Sequence, residues 1–276
     1  MKSVYQTDFM ITNLRIKCKV QKSLGIIKDA YRKFGVENTA IAWTGGKDST
    51  LILWMARKVS RKNNLHLPKV MFINEGDVFE EIKQFVRRMS GDWNFSYDIV
   101  QNDDVLKQVK KLGDTVYVSK LNSENRKELT KLKFSGQTFP FEPESLIGNH
   151  LMKTVAMNMY LRKHKIKALI TGIRRDEQEA RKNEVYFSVR VDPDHTRIHP
   201  LLHFREKDVW SAIHAYEIPF VELYYKGYRS LGAKSSTVKP SSIPAWKQDL
   251  KHTTERVGRR QDKEQIMAKL RKLGYM

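Results

Sequence analysis

The run Thr44-Gly45-Gly46-Lys47-Asp48-Ser49-Thr50 gathers the residue types that hold an anion. Two adjacent glycines let successive backbone N–H groups converge on a ligand with no Cβ in the way. Thr44 and Ser49 add hydroxyls, and Lys47 adds a cation. Apolar residues 39–43 precede the run, and Leu51, Trp54, Met55 and Val59 recur after it at helical spacing. The run is therefore expected at a strand-to-helix turn, where the helix dipole strengthens anion binding. The chemistry this implies is the binding of phosphate groups. Two other phosphate loops do not fit. A Walker loop needs Ser or Thr directly after Gly-Lys, where Asp48 stands, and a dinucleotide fingerprint needs three glycines as G-x-G-x-x-G.

A second group of chemically capable residues follows in Thr171-Gly172-Ile173-Arg174-Arg175-Asp176-Glu177, where Arg174 and Arg175 are planar bidentate donors suited to phosphate or another oxyanion. His195, His199 and His203 recur every four residues, which invites a metal reading. Pro200 forbids a continuous helix there, and on a strand that spacing separates them by about 13 Å each, too far for one ion. The chain has one cysteine, Cys18, expected as a small core residue on a helix. No Cys-x-x-Cys pair, internal disulfide or multi-cysteine cluster can form.

Short apolar runs alternating with longer helical patterns place these residues on βαβ units of a doubly wound parallel sheet in an α/β fold. Helices are expected over residues 14–34, 76–89, 144–164 and 205–216, and strands over 39–43, 70–73, 96–100, 168–171 and 197–201. Residues 102–142 are polar and weakly periodic, and read as an insertion or lid. The expected division is a nucleotide-binding α/β domain over residues 1–225 and a basic C-terminal extension over 226–276, which enters through a linker at 240–244, carries a helix at 263–273 and folds back near the site.

The 276 residues hold 51 Lys plus Arg against 31 Asp plus Glu, a net charge of +20. Such a field attracts polyanions. Its excess lies in runs such as residues 120–133 and in Arg256, Arg259 and Arg260. Little aromatic interleaving accompanies the central run, which reads as a solvated face and not a single-strand stacking surface. Nothing resembles a secretory leader or membrane span, so a cytoplasmic protein without membrane association is expected.

The glycine loop resembles the pyrophosphate loop, Ser-Gly-Gly-Lys-Asp-Ser, of the adenine-nucleotide α-hydrolase superfamily, with Thr44 in first position. Gly172 to Glu177 with Ala180-Arg181-Lys182, then Arg197-Ile198-His199-Pro200-Leu201 and Asp208-Val209-Trp210, resemble its sulfate-activating and sulfonucleotide-reducing branch. Asn149-His150-Leu151-Met152-Lys153-Thr154 and the tail Thr253-Thr254-Glu255-Arg256-Val257-Gly258-Arg259 are similar to the small subunits of two-subunit sulfate adenylyltransferases. The family's Asp-Thr-Gly at the end of the second strand stands here as Asn74-Glu75-Gly76. Tyr228-Arg229-Ser230-Leu231-Gly232 is similar to the reductases, yet Ala233 and Ser236 fill the positions of their cysteine pair. The resemblance implies adenylyl transfer from ATP, with Mg²⁺, to sulfate. Alternatives are another acceptor such as FMN, a reductase-like protein without its cysteines, and a nucleic-acid-associated basic protein. It further implies a nucleotide site of Ala42, Thr44, Gly45, Gly46, Lys47, Asp48, Ser49, Thr50, Asn74, Glu75 and Gly172, with Lys47, Arg174 and Arg175 catalytic. Arg256 and Arg259 would close over it, a GTPase large subunit would supply driving energy, and Asp48 would orient the loop or bind Mg²⁺.

Overall fold

In the computed structural model the described residues are 2–255, with the side chains of residues 2–12 and of Ala180 set apart. The chain runs α1 (Lys2–Phe34), β1 (Thr39–Ala42), α2 (Lys47–Lys62), β2 (Lys69–Ile73), α3 (Glu80–Asp92) and β3 (Asp98–Val100). An inserted unit follows with α4 (Asp103–Leu106), β4 (Thr115–Tyr117), α5 (Ser123–Lys131) and β5 (Thr138–Pro140). Then come α6 (Leu146–Asn149), α7 (Ala156–Lys163), β6 (Ala168–Ile170), β7 (Phe187–Val191), β8 (Asp194–Ile198) and α8 (Glu206–Ala215).

The main sheet has the order β3-β2-β1-β6-β8-β7. Strands β3, β2, β1, β6 and β8 are parallel, and β7 returns antiparallel on β8 with Phe187 opposite Ile198. The parallel strands are apolar on both sides because helices cover both faces. Ile41, Val70, Phe72 and Ile170 face a core shared with α1, α2, α3 and α8, while Ala40, Met71 and Leu169 face Ala156, Met157 and Leu161 of α7. β1 pairs with β2 on one side and β6 on the other, so the winding reverses between β1 and β6. Ligands of open α/β sheets bind at that reversal, beyond the carboxyl ends of the strands.

The structure corrects several expectations. Of the two readings of residues 102–142, insertion or lid, the structure has an insertion with a fold of its own. Its β4–β5 hairpin and short helices bury Val105, Val116, Leu121, Leu129 and Phe139 in a separate core, completed by Leu151 and Val155. The fifth strand ends at Ile198 and is the second arm of the β7–β8 hairpin, so the sheet is parallel except at this edge. The helix expected over residues 144–164 is interrupted by a wider π-helical stretch, His150–Val155, between α6 and α7. Cys18 is exposed, because the buried face of α1 is set by Ile16, Val20, Ile27 and Ala30, and Cys18 lies off that stripe. No described helix is long and apolar enough to cross a membrane.

Candidate active site

The glycine loop lies where β1 ends and α2 begins. Gly45 has φ +74°, a left-handed conformation that a side chain would strain, and a Cβ there would press 2.9 Å from Ile82 Cγ2. The loop is tied internally. Ser49 Oγ accepts from Thr44 N at 3.1 Å and donates to Gly46 O at 3.0 Å. No side chain of α2 caps its own N-terminus, and the Tyr224 hydroxyl accepts from Lys47 N at 2.9 Å. Thr50 is turned inward and accepts from Trp43 Nε1 at 3.1 Å, so it supports the loop from beneath and does not line the cavity.

Beside the loop, Gly172 follows β6 with its backbone against the first turn of α2. Arg174, two residues on, is fully buried and carries its guanidinium to the Asp48 and Glu255 carboxylates, with Asp176 Oδ1 at 2.8 Å from Nε. Lys47, 1% exposed, bonds the other oxygen of Glu255 and lies 3.3 Å from Asp48 Oδ2. Burial works against the charge on Lys47 and Arg174, but Asp48 and Glu255 outweigh it and hold both pKa values above their ordinary range. The Glu255 carboxyl is likewise opposed by burial, yet Arg174 and Lys47 pull it down to about 2.

Arg175 is not brought to this cluster. The tight turn Arg175–Glu177 sends its side chain to the surface, where it donates to Glu184 O at 3.0 Å and lies 5.7 Å from the Tyr186 ring centre. Asn74 also misses the cavity lining. It donates to Gln101 Oε1 at 2.6 Å and accepts from Gly76 N at 3.1 Å, which shapes the turn after β2. The three histidines have separate partners. His195 Nδ1 lies 2.6 Å from Pro193 O, His199 Nδ1 2.8 Å from Thr171 Oγ1, and His203 Nε2 3.1 Å from Lys19 O.

These elements enclose a cavity of about 350 Å³ at the point where the strand order reverses. Ala42, Ile73, Met157 and Leu169, which pack together on the α7 face of the sheet, give the cleft an apolar slot. Its polar groups are Glu75, Asn149 and Lys153, with Lys153 Nζ 2.5 Å from Glu75 and 3.1 Å from Glu144. The π-helical stretch carries Lys153, and it directly follows Asn149. Arg181, Arg190, Arg197 and His199 also line the cleft with Glu177 and Glu184, where Arg181 pairs with Glu177 and Arg190 lies 3.3 Å from Glu184. Burial lowers the His199 pKa, so its imidazole is neutral there. An apolar slot, a cationic loop and a second basic lobe in one cleft suit a flat heterocycle, its phosphates and a second anion.

Sequence reasoning did not anticipate Tyr224, Arg190 or the ion pairs that Lys47 and Arg174 make with Asp48 and Glu255. The period-two alternation Ser188-Val189-Arg190 was the available signal for the β7 arm. Glu255 appeared only as part of a tail pattern, and Arg256 and Arg259, expected over the site, lie outside the described residues. Two other features fix residues 226–255 near the loop. Arg229 clamps Glu206 with two nitrogens at 2.7–3.1 Å, and Lys234 N donates to Asp77 O at 2.8 Å.

Comparison with known proteins places these residues in context. A family model described as the phosphoadenosine phosphosulfate reductase domain matches residues 38–239. A protein of Geobacter metallireducens named sulfate adenylyltransferase subunit 2 is 27% identical over 231 residues, which cover 75% of this chain and 66% of that one. A relative of the same function name from Agrobacterium fabrum is 25% identical over 238 residues, covering 78% of this chain and 65% of that one. This chain thus spans slightly less than two thirds of the length of these relatives. Among solved structures, phosphoadenylyl-sulfate reductase from Candida auris superposes with a TM-score of 0.56 at 19% identity, covering 78% of this chain and 90% of that chain. FMN adenylyltransferase from Candida glabrata gives 0.58 at 17% identity, covering 95% and 81%. These two likenesses are of fold.

Proposed function

Because the chain belongs to the phosphoadenosine phosphosulfate reductase domain family, we propose that it is an ATP-dependent adenylyltransferase whose acceptor is sulfate. The observation that carries this reading is the placement of buried Lys47 on the lining of a cleft beside the glycine loop, with Arg174 buried against Asp48 and Glu255 of the same lining, in a cleft that Arg181, Arg190 and Arg197 also line. The relatives named sulfate adenylyltransferase subunit 2 support the choice of reaction. A reductase of this family type needs a thiolate. The one cysteine of this chain is Cys18, exposed on α1 and not part of the cavity lining.

In this mechanism the adenine lies in the apolar slot, and Glu75 with Asn149 takes the ribose or base edge. The loop backbone and Lys47 hold the β- and γ-phosphates. An oxygen of the acceptor attacks the α-phosphorus, a new P–O bond forms, and the bond to the bridging oxygen breaks. Pyrophosphate leaves with that electron pair. The chain's part is to position the two anions in line and to neutralise charge that builds on the leaving group. Arg174, held against Asp48 and Glu255 of the lining, serves that purpose, while Arg181, Arg190 and Arg197 seat the acceptor.

Mg²⁺ fits this site only in company with the nucleotide. Among the described residues no cluster of three His, Cys, Asp or Glu side chains could cage it. Asp48 is the loop carboxylate that would hold it, which matches the habit of Mg²⁺ of taking one or two carboxylates plus substrate phosphates. When bound, it would neutralise phosphate charge. A second, larger subunit that supplies driving energy by hydrolysing GTP belongs to the same proposal, as does a location in the cytoplasm.

The test is pyrophosphate release from α-labelled ATP with sulfate, FMN or RNA added in separate arms. Sulfate-dependent release with a labelled adenylyl product is expected. Release with FMN alone moves the acceptor assignment, and no labelled adenylyl product in any arm, with pyrophosphatase added to draw the transfer forward, removes the activity.

A further inference from the structure

The seat between Lys47 and Arg174 is filled by an anion of the chain itself. One oxygen of Glu255 meets Lys47 Nζ and the other meets Arg174. Its side chain is 7% exposed, whereas Lys251, His252, Thr253 and Thr254 beside it are all exposed. A surface turn therefore sends a single carboxylate inward. That turn is held by local bonds: Asp249 Oδ1 accepts from Lys251 N at 3.1 Å and from His252 N at 3.0 Å, and Arg229 donates to Thr253 O at 3.0 Å.

Charge in the cluster is fully used in this arrangement. The cations Lys47, Arg174 and Arg229 face the carboxylates Asp48, Asp176, Glu206 and Glu255. Without Glu255 the buried Lys47 and Arg174 keep only Asp48 and Asp176 as facing carboxylates, so their charge is less fully compensated and an empty phosphate seat favours a further anion. A polyphosphate entering the seat needs the same N–H donors that Glu255 occupies, and both cannot use them together.

We propose that Glu255 is an internal stand-in for phosphate, and that residues 249–255 form a plug that closes the loop's anion seat when it is empty and lifts when ATP or pyrophosphate binds. The proposal rests on the reading of Lys47 and Arg174 as phosphate ligands. A pyrophosphate carries several negative charges against one, and so displaces the plug, but its apparent affinity is reduced by the fraction of molecules that are open. The hydroxyl of Tyr224 on Lys47 N and the Glu206–Arg229 clamp stay with the body of the protein, while the bonds of Arg229 to Asp249 O and Thr253 O break as residues 249–255 lift.

The experiment uses the full chain. Inorganic pyrophosphate and ATP are titrated by calorimetry into wild type, Glu255→Gln, Glu255→Asp and Lys47→Ala, and hydrogen exchange is followed in peptides covering residues 249–255. Glu255→Gln is expected to bind pyrophosphate about tenfold or more tightly than wild type, as removal of a predominantly closed state requires. Glu255→Asp should fall between them. Peptides covering 249–255 should exchange faster in Glu255→Gln without ligand, and faster in wild type once pyrophosphate is added. Equal or weaker binding by Glu255→Gln, or pyrophosphate bound by wild type with exchange unchanged or slowed, overturns the plug. If pyrophosphate binding is unaffected by Lys47→Ala, the phosphate-site reading itself falls and takes the plug with it.

Discussion

Gly172 and Asp48 meet backbone to backbone where the sheet reverses its winding. A Cβ built on Gly172 would lie 3.0 Å from the Asp48 carbonyl carbon and 3.0 Å from Ser49 N. The turn after β6 is thereby seated on the first turn of α2, and the loop that carries Lys47 is held in register with the segment that carries Arg174.

Gly172→Ala must push these two turns apart, because the atoms it meets are backbone and cannot rotate away. A cost of about 1 to 3 kcal/mol in stability is expected, as for other overpacked sites, together with weaker pyrophosphate binding. Thermal unfolding and calorimetry on the same sample check this. Unchanged values in both would mean that the contact is not part of the site's geometry.

Gly46 is different. Its φ is −71°, and a Cβ there would meet Thr44 Oγ1 and Tyr224 Oη at 3.4 Å, an ordinary contact. The fold should accept Gly46→Ala, while the added methyl stands at the mouth of the loop where phosphate oxygens must approach. The expected outcome is an unfolding temperature within about 2 °C of wild type, which is under about 1 kcal/mol for a chain of this size, with loss of pyrophosphate affinity. Retained affinity would contradict the loop's assignment.

The arginine pair gives a contrast inside one motif. Arg174→Ala leaves Asp48 and Glu255 facing each other without their guanidinium, and removal of one partner from a buried pair costs about 3 to 5 kcal/mol. Arg175→Ala removes a surface side chain whose partners are a carbonyl and a ring. Turnover in Arg175→Ala should stay within about twofold of wild type, and turnover in Arg174→Lys, which keeps the charge but not the fork, should fall by at least about tenfold. Comparable losses in the two variants would mean that Arg175 reaches the site during the reaction.

This contrast shows where the sequence was readable. The loop at the end of β1 stood out because its residue types are rare together and lie between two clear periodicities. Order within the Arg174-Arg175 pair was not legible, because a single tight turn decides which guanidinium points inward. The β7–β8 hairpin was only half seen, since His195, Thr196 and Arg197 are buried polar residues on a strand and mask the alternation that marks one. Residues 102–142 could be read only as an insertion or lid, because their apolar residues follow no clear period and meet through the β4–β5 hairpin and with Leu151 and Val155. Glu255 stood in a family-like tail pattern that gave no sign of its partners. Its partners are 208 and 81 residues away in sequence.

A pH dependence of stability follows from His195. Burial, above all, lowers its pKa to about 4 in the folded protein, although its bond to the Pro193 carbonyl works the other way. In the unfolded chain it protonates near about 6.5. The folded value is the depressed one, so its contribution is complete above about pH 6.5 and is lost as pH falls toward 4. Within that window each pH unit costs at most about 1.4 kcal/mol for this group. Urea unfolding at a series of pH values should show this slope, reduced in His195→Gln. An identical slope in the variant would place the acid sensitivity elsewhere.

The measurement closest to the central claim is the reverse reaction. The mixed anhydride of adenylyl sulfate is the high-energy partner, so with adenylyl sulfate and pyrophosphate supplied, ATP formation needs no driving subunit. The account predicts that the isolated chain makes ATP and sulfate from these two compounds, that Lys47→Ala and Arg174→Lys abolish or strongly reduce the rate, and that Cys18→Ser leaves it unchanged. No ATP formed by wild-type chain that demonstrably binds pyrophosphate, or a rate that depends on Cys18, would contradict it.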